Sequence, residues 1–458
     1  MTTSPQQVIK DLLELLLLTD AKAHSLLNFG WLLLKEYDAG DFQTEVILSK
    51  EIYELRIAEK IKAANKVMKS TSTEYWKCDP PKWKEDVNYI RLKRLLQGYI
   101  ENEVDMDPGS ECTAKCSDYH FAKQEECYDN NKIQFCAIQD KCEGRILNCR
   151  YYDNDADVYM SSDPARRYAY IEYEDGQVLG KSINPVSTKY KVDSWWRWIF
   201  FHCTFCFCIC DDEFGKTERY FSLREVTSDI VANKIVVGVS LVKIDKVVHL
   251  MIHEAIAKGR GDVDSASLAP VPVDSFSVDD SVQDEDYMRM NYNNRALDLG
   301  DLKPLEGYVI TGVRLRAVKS HLKLGIRVTP IDFESGVLDT ERSKWIHNPS
   351  PENKFGIYHS DIPTESYLQS TPIDNQDQYI EFTHSSRTGD AAQTTVPYID
   401  SQPVLPYPPQ WLSSVGLYYK RSEGYGGFVG LKVTTYNLSS YVKKPNEIEN
   451  MIEPENSV

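Results

Sequence analysis

The chain has 458 residues, enough for two or three domains that each bury an apolar core. Its 42% hydrophobic and 26% charged residues are ordinary for a soluble protein. The formal net charge of −17 argues against a general nucleic-acid binder, because phosphate recognition needs a basic surface. We therefore expect no nucleic-acid partner.

The N-terminal part of the chain shows helical periodicity. Apolar residues return every three or four positions from Val8 to about Lys69, with a break at Gly40 and Asp41. We predict long helices here and a further helix from Trp83 to Ile100, together forming a hairpin or small bundle over residues 1–105. The leucine stripe is expected to form the core of that bundle. A partner-helix or membrane-active role is the alternative.

The chain contains eleven cysteines, the last at position 210. Such clustering is typical of a disulfide-bonded segment in an oxidising compartment. The odd number leaves one cysteine free or bonded to another chain. Cys78 precedes the cluster. We expect the other ten to form disulfides: Cys112, Cys116, Cys127, Cys136, Cys142, Cys149, Cys203, Cys206, Cys208 and Cys210.

The C-x-x-C-x-C-x-C spacing of Cys203–Cys210 also suits zinc or copper bound through thiolates. A strand, however, would let these alternating side chains reach the cysteines of the Cys112–Cys149 stretch. We therefore expect disulfides, with no metal site and no cofactor.

The compartment that the cysteines imply is extracellular. The N-terminus shows no clean secretion signal, because Asp11 and Glu14 interrupt its leucine-rich run. The longest later apolar stretch, Trp195–Ile209, is too short to cross a bilayer and contains Arg197 and His202. We expect a secreted protein without a stable membrane span.

The most regular stretch runs from Leu297 to Phe333. Apolar and polar residues alternate on both sides of a short connection, Ala317–Ser320, which predicts a β-hairpin. One face is apolar and the other basic. In the first strand the alternation places Val309, Thr311, Val313, Leu315 and Ala317 on the inner face, and Ile310, Gly312, Arg314 and Arg316 on the outer face.

The same pattern occurs upstream in Phe221–Ala255 and, more loosely, in Tyr398–Tyr436, where V-G-L-Y begins at Val415. Three copies of one antiparallel unit predict a β-prism-like domain with a threefold internal repeat. A two-sheet β-sandwich is the alternative. The predicted class is α+β, with a helical region at 1–105, a cysteine-rich region at 106–215, the antiparallel β domain at 216–440, and a disordered acidic tail at 441–458.

Several stretches carry a family resemblance. They are WW…CFCICDDE at Trp195–Glu213, RYFSL at Arg219–Leu223, the stretch Val309–Gly336, THSSRTGDAAQTTVPYIDSQPV at Thr383–Val404, and SVGLYYKRSEGYGGFVGLKVTTY at Ser414–Tyr436. In these the chain resembles an uncharacterised family of secreted insect proteins, a domain of unknown function. The resemblance implies an extracellular, disulfide-bonded protein and brings no catalytic residues. Ser414 stands where the family pattern has glycine. The β repeats separately resemble the β-prism of the vitelline membrane outer layer proteins, which is an analogy of fold alone.

The candidate ligand site is the basic outer face of the central hairpin. Guanidinium groups hold sulfate or carboxylate in bidentate fashion, so an acidic glycan is a suitable ligand. The alternative is that the charges are solvated or are neutralised by Asp298, Asp301 or Asp332. The residues predicted on this face are Arg314, Arg316, His321, Lys323 and Arg327.

Two further positions are candidates. Tyr425 lies in the glycine-rich stretch EGYGGF, where an aromatic ring can stack on a sugar, although a plain sheet corner is the alternative. Asn437 begins an N-L-S glycosylation sequon.

These patterns predict a non-enzymatic secreted protein that binds glycans or extracellular matrix through its β domain, with no catalytic residues. Its partner would be an extracellular glycan or protein. One alternative is a disulfide-linked structural or assembly protein of an extracellular layer. The other is an enzyme or metal-binding protein that uses the Cys203–Cys210 cluster.

Overall fold

The computed structural model describes residues 4–107, 109, 111–125, 135–152, 155–181, 188–213, 216–358, 361–373 and 376–442. Its helices are α1 (Pro5–Glu36), α2 (Gln43–Ser70), α3 (Glu103–Met106) and α4 (Arg387–Asp390). None of the described helices combines the length and the apolarity that crossing a bilayer requires. Cys127 and the predicted tail from residue 443 onward lie outside the described residues.

Most of the chain forms strands. The first twelve are β1 (Glu74–Tyr75), β2 (Tyr89–Ile90), β3 (Gln97–Asn102), β4 (Phe121–Ala122), β5 (Arg145–Tyr151), β6 (Ala156–Met160), β7 (Tyr168–Tyr173), β8 (Val178–Gly180), β9 (Lys189–Val192), β10 (Trp195–Arg197), β11 (Phe201–Cys203) and β12 (Phe205–Asp211). The next ten are β13 (Tyr220–Ser222), β14 (Val226–Thr227), β15 (Lys234–Ile244), β16 (Val247–Ile256), β17 (Ala269–Pro270), β18 (Tyr287–Arg289), β19 (Ala296–Asp298), β20 (Gly300–Leu302), β21 (Tyr308–Val318) and β22 (His321–Pro330). The last nine are β23 (Lys344–Ile346), β24 (Asn353–Phe355), β25 (Thr371–Ile373), β26 (Gln378–Glu381), β27 (Thr383–His384), β28 (Thr395–Val396), β29 (Tyr398–Asp400), β30 (Leu412–Arg421) and β31 (Phe428–Thr435).

Helices α1 and α2 form the predicted antiparallel hairpin. The Ser4 side chain accepts a hydrogen bond from the Gln7 amide at 3.4 Å, and Pro5 occupies the first helical position, so the start of α1 is well capped. The hairpin contacts the β-sheets at its base, where Lys10 reaches Asp262 at 2.5 Å and Asn65 donates to the Ser439 carbonyl at 2.7 Å.

Two predictions for this region are wrong. The stretch Trp83–Ile100 forms no helix, because β2 pairs with β29 and β3 pairs with β12, and these distant partners override the local pattern. The leucine stripe does not form a core either. The buried residues of the two helices are Gln6, Gln7, Lys10, Leu13, Ile61 and Met68.

Three sheets are each built on a long hairpin, and we call them the first, second and third hairpin sheets. Their hairpins are β15–β16, β21–β22 and β30–β31, and the middle one is the hairpin predicted from alternation. In each sheet a short strand runs parallel to the second hairpin strand: β13 with β16, β19 with β22, and β29 with β31. A second short strand pairs antiparallel with the other edge of that parallel strand: β18 with β13, β26 with β19, and β2 with β29.

Each hairpin contains a β-bulge near the start of its first strand. The pairing register shifts at Val237, Thr311 and Ser413. The residue after the bulge is Gly238 in the first hairpin and Gly312 in the second. In the third it is Ser414, so Gly416 does not take the position that the V-G-L-Y match suggested.

The bulges change which side chains face the main core. After the bulge, alternation holds as predicted, and Val313, Leu315 and Ile326 are buried in the main core. Before it the faces are exchanged, because one extra residue reverses the phase of alternation. Ile310 therefore joins the main core, and Val309 enters a second, smaller core, which corrects the predicted faces at these two positions. Ile235 of the first hairpin and Trp411, which directly precedes β30, enter the same small core.

The cysteine-rich region is organised around β12. Cys206, Cys208 and Cys210 alternate along this strand and lie in one buried cluster, while Phe207 and Ile209 on its other face join the main core. The described disulfides are Cys112–Cys203, Cys116–Cys206, Cys142–Cys210 and Cys149–Cys208. Cys136 is also disulfide-bonded, and Cys78 is free and exposed. The disulfide-bonded middle region agrees with the cysteine spacing.

Candidate functional site

The basic face of the second hairpin sheet is formed by three strands. Arg316 lies directly opposite Lys323 across the β21–β22 pair, and Arg314 lies opposite Gly325. Arg327 lies opposite Trp345 on the third strand, β23. Residues directly opposite on paired strands point to the same side of a sheet, so these basic groups share one face, as alternation predicted.

One end of this face is internally neutralised. The His321 Nδ1 bonds to an Asp298 carboxylate oxygen, and Lys323 Nζ lies 3.7 Å from the other oxygen. Lys323 is buried and also donates to the Asn348 carbonyl at 3.1 Å. Burial raises the pKa of Asp298, although His321 and Lys323 oppose that rise. His321 and Lys323 are thus engaged within the protein.

At the other end of the face, fewer of the positive charges are paired with carboxylates. The Arg314 guanidinium lies 4.2 Å from the centre of the Trp345 ring and 3.6 Å from the Glu225 carboxylate. Burial, and then the neighbouring charge of Arg316, lower the pKa of Arg314. Within the described ranges neither Arg316 nor Arg327 has a carboxylate within 4.0 Å. Two of the five predicted cations therefore have no ion-pair partner there.

Arg316 lies beside a histidine, His347, on this face. Its Nη1 lies 3.4 Å from Nδ1 of His347. Burial lowers the pKa of His347, and the charges of Arg316, Lys323 and Arg314 lower it further. The face is therefore an electropositive surface on a chain whose overall charge is negative.

Of the three carboxylates predicted to neutralise this face, only Asp298 does so. Asp301 pairs with Lys432 of β31 at 2.9 Å. Asp332 accepts hydrogen bonds from the amide and hydroxyl of Ser335 at 2.7 and 2.6 Å. The carboxylate on the basic face that sequence reasoning missed is Glu225, which stands just before β14 at the edge of β21.

Trp345 and His347 were also missed. They reach the face because the short strand β23 pairs with β22, and a three-residue strand shows too little alternation to be found from sequence. The only sequence signal for this strand is the aromatic Trp345 between Lys344 and Ile346.

Tyr425 does not lie on the basic face. It belongs to the turn of the third hairpin sheet, where it forms a bridge with Asp361, and the Gly426 amide donates to the Asp361 carbonyl at 2.8 Å. Gly427 has a φ of +67°, and a Cβ there would lie 2.5 Å from the Lys420 carbonyl oxygen. These contacts favour the sheet-corner interpretation of the EGYGGF stretch.

Asn437 caps a short turn. Its side-chain oxygen accepts hydrogen bonds from the Ser439 amide at 3.0 Å and from Gln6 at 3.3 Å. The residue itself is exposed. Asn437 is therefore at the surface next to the base of α1, while Leu438 and Ser439, the other two residues of the sequon, are buried.

The cysteine cluster offers two groups of side chains with metal-ligand spacing, Glu103 with Cys116 and Cys206, and Asp212 with Cys142 and Cys210. Every one of these sulfur atoms is in a disulfide. A disulfide sulfur is not a thiolate ligand, so neither group offers the thiolate set that zinc requires.

Comparison with known proteins places the chain in a family. A search of curated proteins found no match. A family model described as "Domain of unknown function (DUF4803)" matches residues 1–252, which is more than half of the chain. The matched part contains the helical hairpin, the disulfide-bonded region and most of the first hairpin. The chain therefore belongs to the DUF4803 family.

Proposed function

We propose that this protein is a non-enzymatic extracellular binding protein that holds acidic glycans on the basic face of its second hairpin sheet. The observation that carries the proposal is the pair Arg316 and Arg327, which lack carboxylate partners in the described part of a chain with net charge −17. In an acidic protein the carboxylates to neutralise them are abundant, so two guanidinium groups without a carboxylate partner on one face favour an external anion.

The chemistry of the face suits a sulfated or carboxylated sugar. Guanidinium groups form paired, charge-assisted hydrogen bonds with both sulfate and carboxylate. Trp345 lies among them and offers apolar surface to a sugar ring, although Arg314 covers part of it. Lys323 and His321, which are held by Asp298, are better placed to support the sheet than to contact a ligand.

We also propose that the three hairpin sheets are copies of one unit arranged as a β-prism. The matching parallel strands and the matching bulges support this interpretation over a two-sheet sandwich. The disulfides, and a sequon whose Asn437 is exposed, support an oxidising, secretory route for the chain.

The experiment is binding of the folded protein to a heparin-like polymer as salt is varied. Parent protein should bind at low salt and release steeply as salt rises, because exposed charges are screened beyond ~8–10 Å at physiological ionic strength. The double variant Arg316→Ala/Arg327→Ala should bind at least roughly a hundredfold more weakly, at about tenfold per lost charge-assisted contact. Glu225→Gln should strengthen binding, since it removes the carboxylate nearest to Arg314.

The matched control is Lys189→Ala/Lys191→Ala, which also removes two positive charges, but from β9. Both lysines are exposed and already pair with carboxylates, at 2.6 Å to Asp157 and 3.1 Å to Asp193. This control should bind like the parent. Absence of parent binding at low salt, or equal binding by the arginine variant and the control, would exclude the basic face as a glycan site.

The alternative function, structural assembly, is favoured by a different observation. The helical hairpin exposes much of its apolar surface instead of burying it. That surface leads to a separate inference.

A further inference from the structure

The seam between α1 and α2 is polar toward the tip of the hairpin. Lys60 of α2 bonds to Asp20 of α1, and the His24 ring stacks on Tyr53 with 4.4 Å between ring centres. Asn28 follows on the same stripe of α1, 2.9 Å from His24. An ordinary helical pair places leucines in this seam and polar groups outside, so this hairpin has the opposite arrangement.

The leucines instead point outward. Leu12, Leu15, Leu26 and Leu33 recur at helical spacing on the side of α1 that is turned away from α2, and all are exposed, Leu26 by 71%. Leu48, Ile52 and Leu55 of α2 are also exposed, but helical spacing turns them away from Tyr53 and Lys60, and so away from α1. Within the described part of the chain nothing covers these residues.

The exposed area is large for a monomer. Eleven of the thirty-five large apolar side chains that are exposed in the described chain lie on α1, between Val8 and Leu34. Taking ~150 Å² for a fully exposed large side chain, their fractional exposures amount to about 900 Å². Soluble monomers rarely expose an apolar patch larger than ~300–600 Å², whereas a stable interface needs only about 800 Å² from each partner.

Charge distribution favours a protein partner over a lipid surface. The connection at the tip carries Glu36, Asp38, Asp41 and Glu45 against the single cation Lys35. An anionic membrane would repel this tip, and burying such carboxylates in hydrocarbon is costly.

We propose that the apolar outer face of α1 binds the same face of a second copy of this chain, so that the two α1 helices pack against each other. The surface is then self-complementary, as a twofold dimer requires, and the charged residues of α2 stay outside the interface. Gly30 lies on the same face of α1, and a Cβ there would meet nothing within 4 Å, which leaves room for close approach of a partner helix. This inference does not depend on glycan binding.

The test is the molar mass of the full chain in solution, measured by light scattering across micromolar concentrations. The chain carries Cys78→Ser, so that the exposed free cysteine cannot link copies covalently. The parent should have twice the monomer mass of 52.5 kDa. Leu26→Glu/Leu33→Glu should weaken association by roughly a hundredfold or more, because two charges would be buried in the interface.

The matched control is Lys62→Gln/Lys66→Gln, which lowers the net charge by the same two units at exposed sites outside the apolar face. It should remain dimeric. Leu26→Ala/Leu33→Ala, a milder change, should also weaken association while circular dichroism confirms intact helices. A monomeric parent, or a dimer that both leucine variants leave intact, would overturn the proposal. Vesicle binding by a monomeric parent that Leu26→Glu/Leu33→Glu abolishes would assign the face to lipid instead.

Discussion

Acid should destabilise the fold through His249, a buried residue of β16. Its side chain is only 2% exposed, and its Nε2 has no hydrogen-bond partner within the described residues. The ring packs edge-on against Phe276 at 5.4 Å, and the Arg224 guanidinium lies 4.4 Å from the centre of that phenylalanine ring. Burial first, and then the positive charge of Arg224, lower the pKa of His249 to about 4, although Asp274 and Asp245 oppose this shift.

The sign and size of the effect follow from proton linkage. Between about pH 6.5 and pH 4 the unfolded chain binds a proton at this histidine and the folded chain does not, so stability falls as pH falls through this window. With an unfolded pKa of ~6.5 and a folded pKa of about 4, the loss is about 2 kcal/mol by pH 5 and approaches about 3 kcal/mol below pH 4.

The assay is chemical denaturation of parent and His249→Phe at neutral pH and at about pH 5, with disulfides intact. Comparing the two proteins cancels other titrating groups, including His253, whose pKa burial also lowers. The parent should lose about 2 kcal/mol more than the variant over this interval. Equal losses in the two proteins would show that His249 is not held neutral by its surroundings.

Two stability predictions concern groups that are buried elsewhere. Replacing Cys149 and Cys208 by serine removes their disulfide and should lower the free energy of unfolding by about 2–5 kcal/mol, measured as a lower denaturation midpoint. Mapping of unreduced peptides should recover the bridge only from the parent. Four free thiols in the native parent, at Cys203 and the three cysteines of β12, would contradict this prediction. Lys420 is fully buried, and its Nζ lies 3.0 Å from Asp79 and 2.7 Å from Asp400. The substitution Lys420→Met should lower the free energy of unfolding by about 3–5 kcal/mol, because two carboxylates would be left without their cation. Adding Asp400→Asn should restore part of that loss, and an unchanged midpoint for Lys420→Met would refute the reasoning.

The features that sequence predicted well are those with a long local period. Eleven- and ten-residue strands give β21 and β22 enough alternation to identify both strands and the basic face. The bulge at Thr311 could not be predicted this way, since one inserted residue leaves no trace in composition. It exchanged the faces of Val309 and Ile310, the second and third residues of β21.

Other features depended on partners far along the chain. Strand β2 has only two residues and all six residues of β3 are buried, so neither shows an alternating pattern, and they form because β29 and β12 pair with them. The helical period of α1 was visible, but a period shows only which residues share a face. It does not show what that face contacts, so the leucines were wrongly assigned to a core.

The family boundary and the pairing of strands disagree in a way that matters for handling this protein. The family match ends at residue 252, inside β16, while β1 and β2 from the matched part pair with β31 and β29 beyond it. A fragment cut at the match would divide one hairpin strand and strip two others of their neighbours. The region that the family model matches is therefore smaller than the region that strand pairing joins, and β29 to β31 complete a sheet whose first strands lie hundreds of residues earlier in the chain.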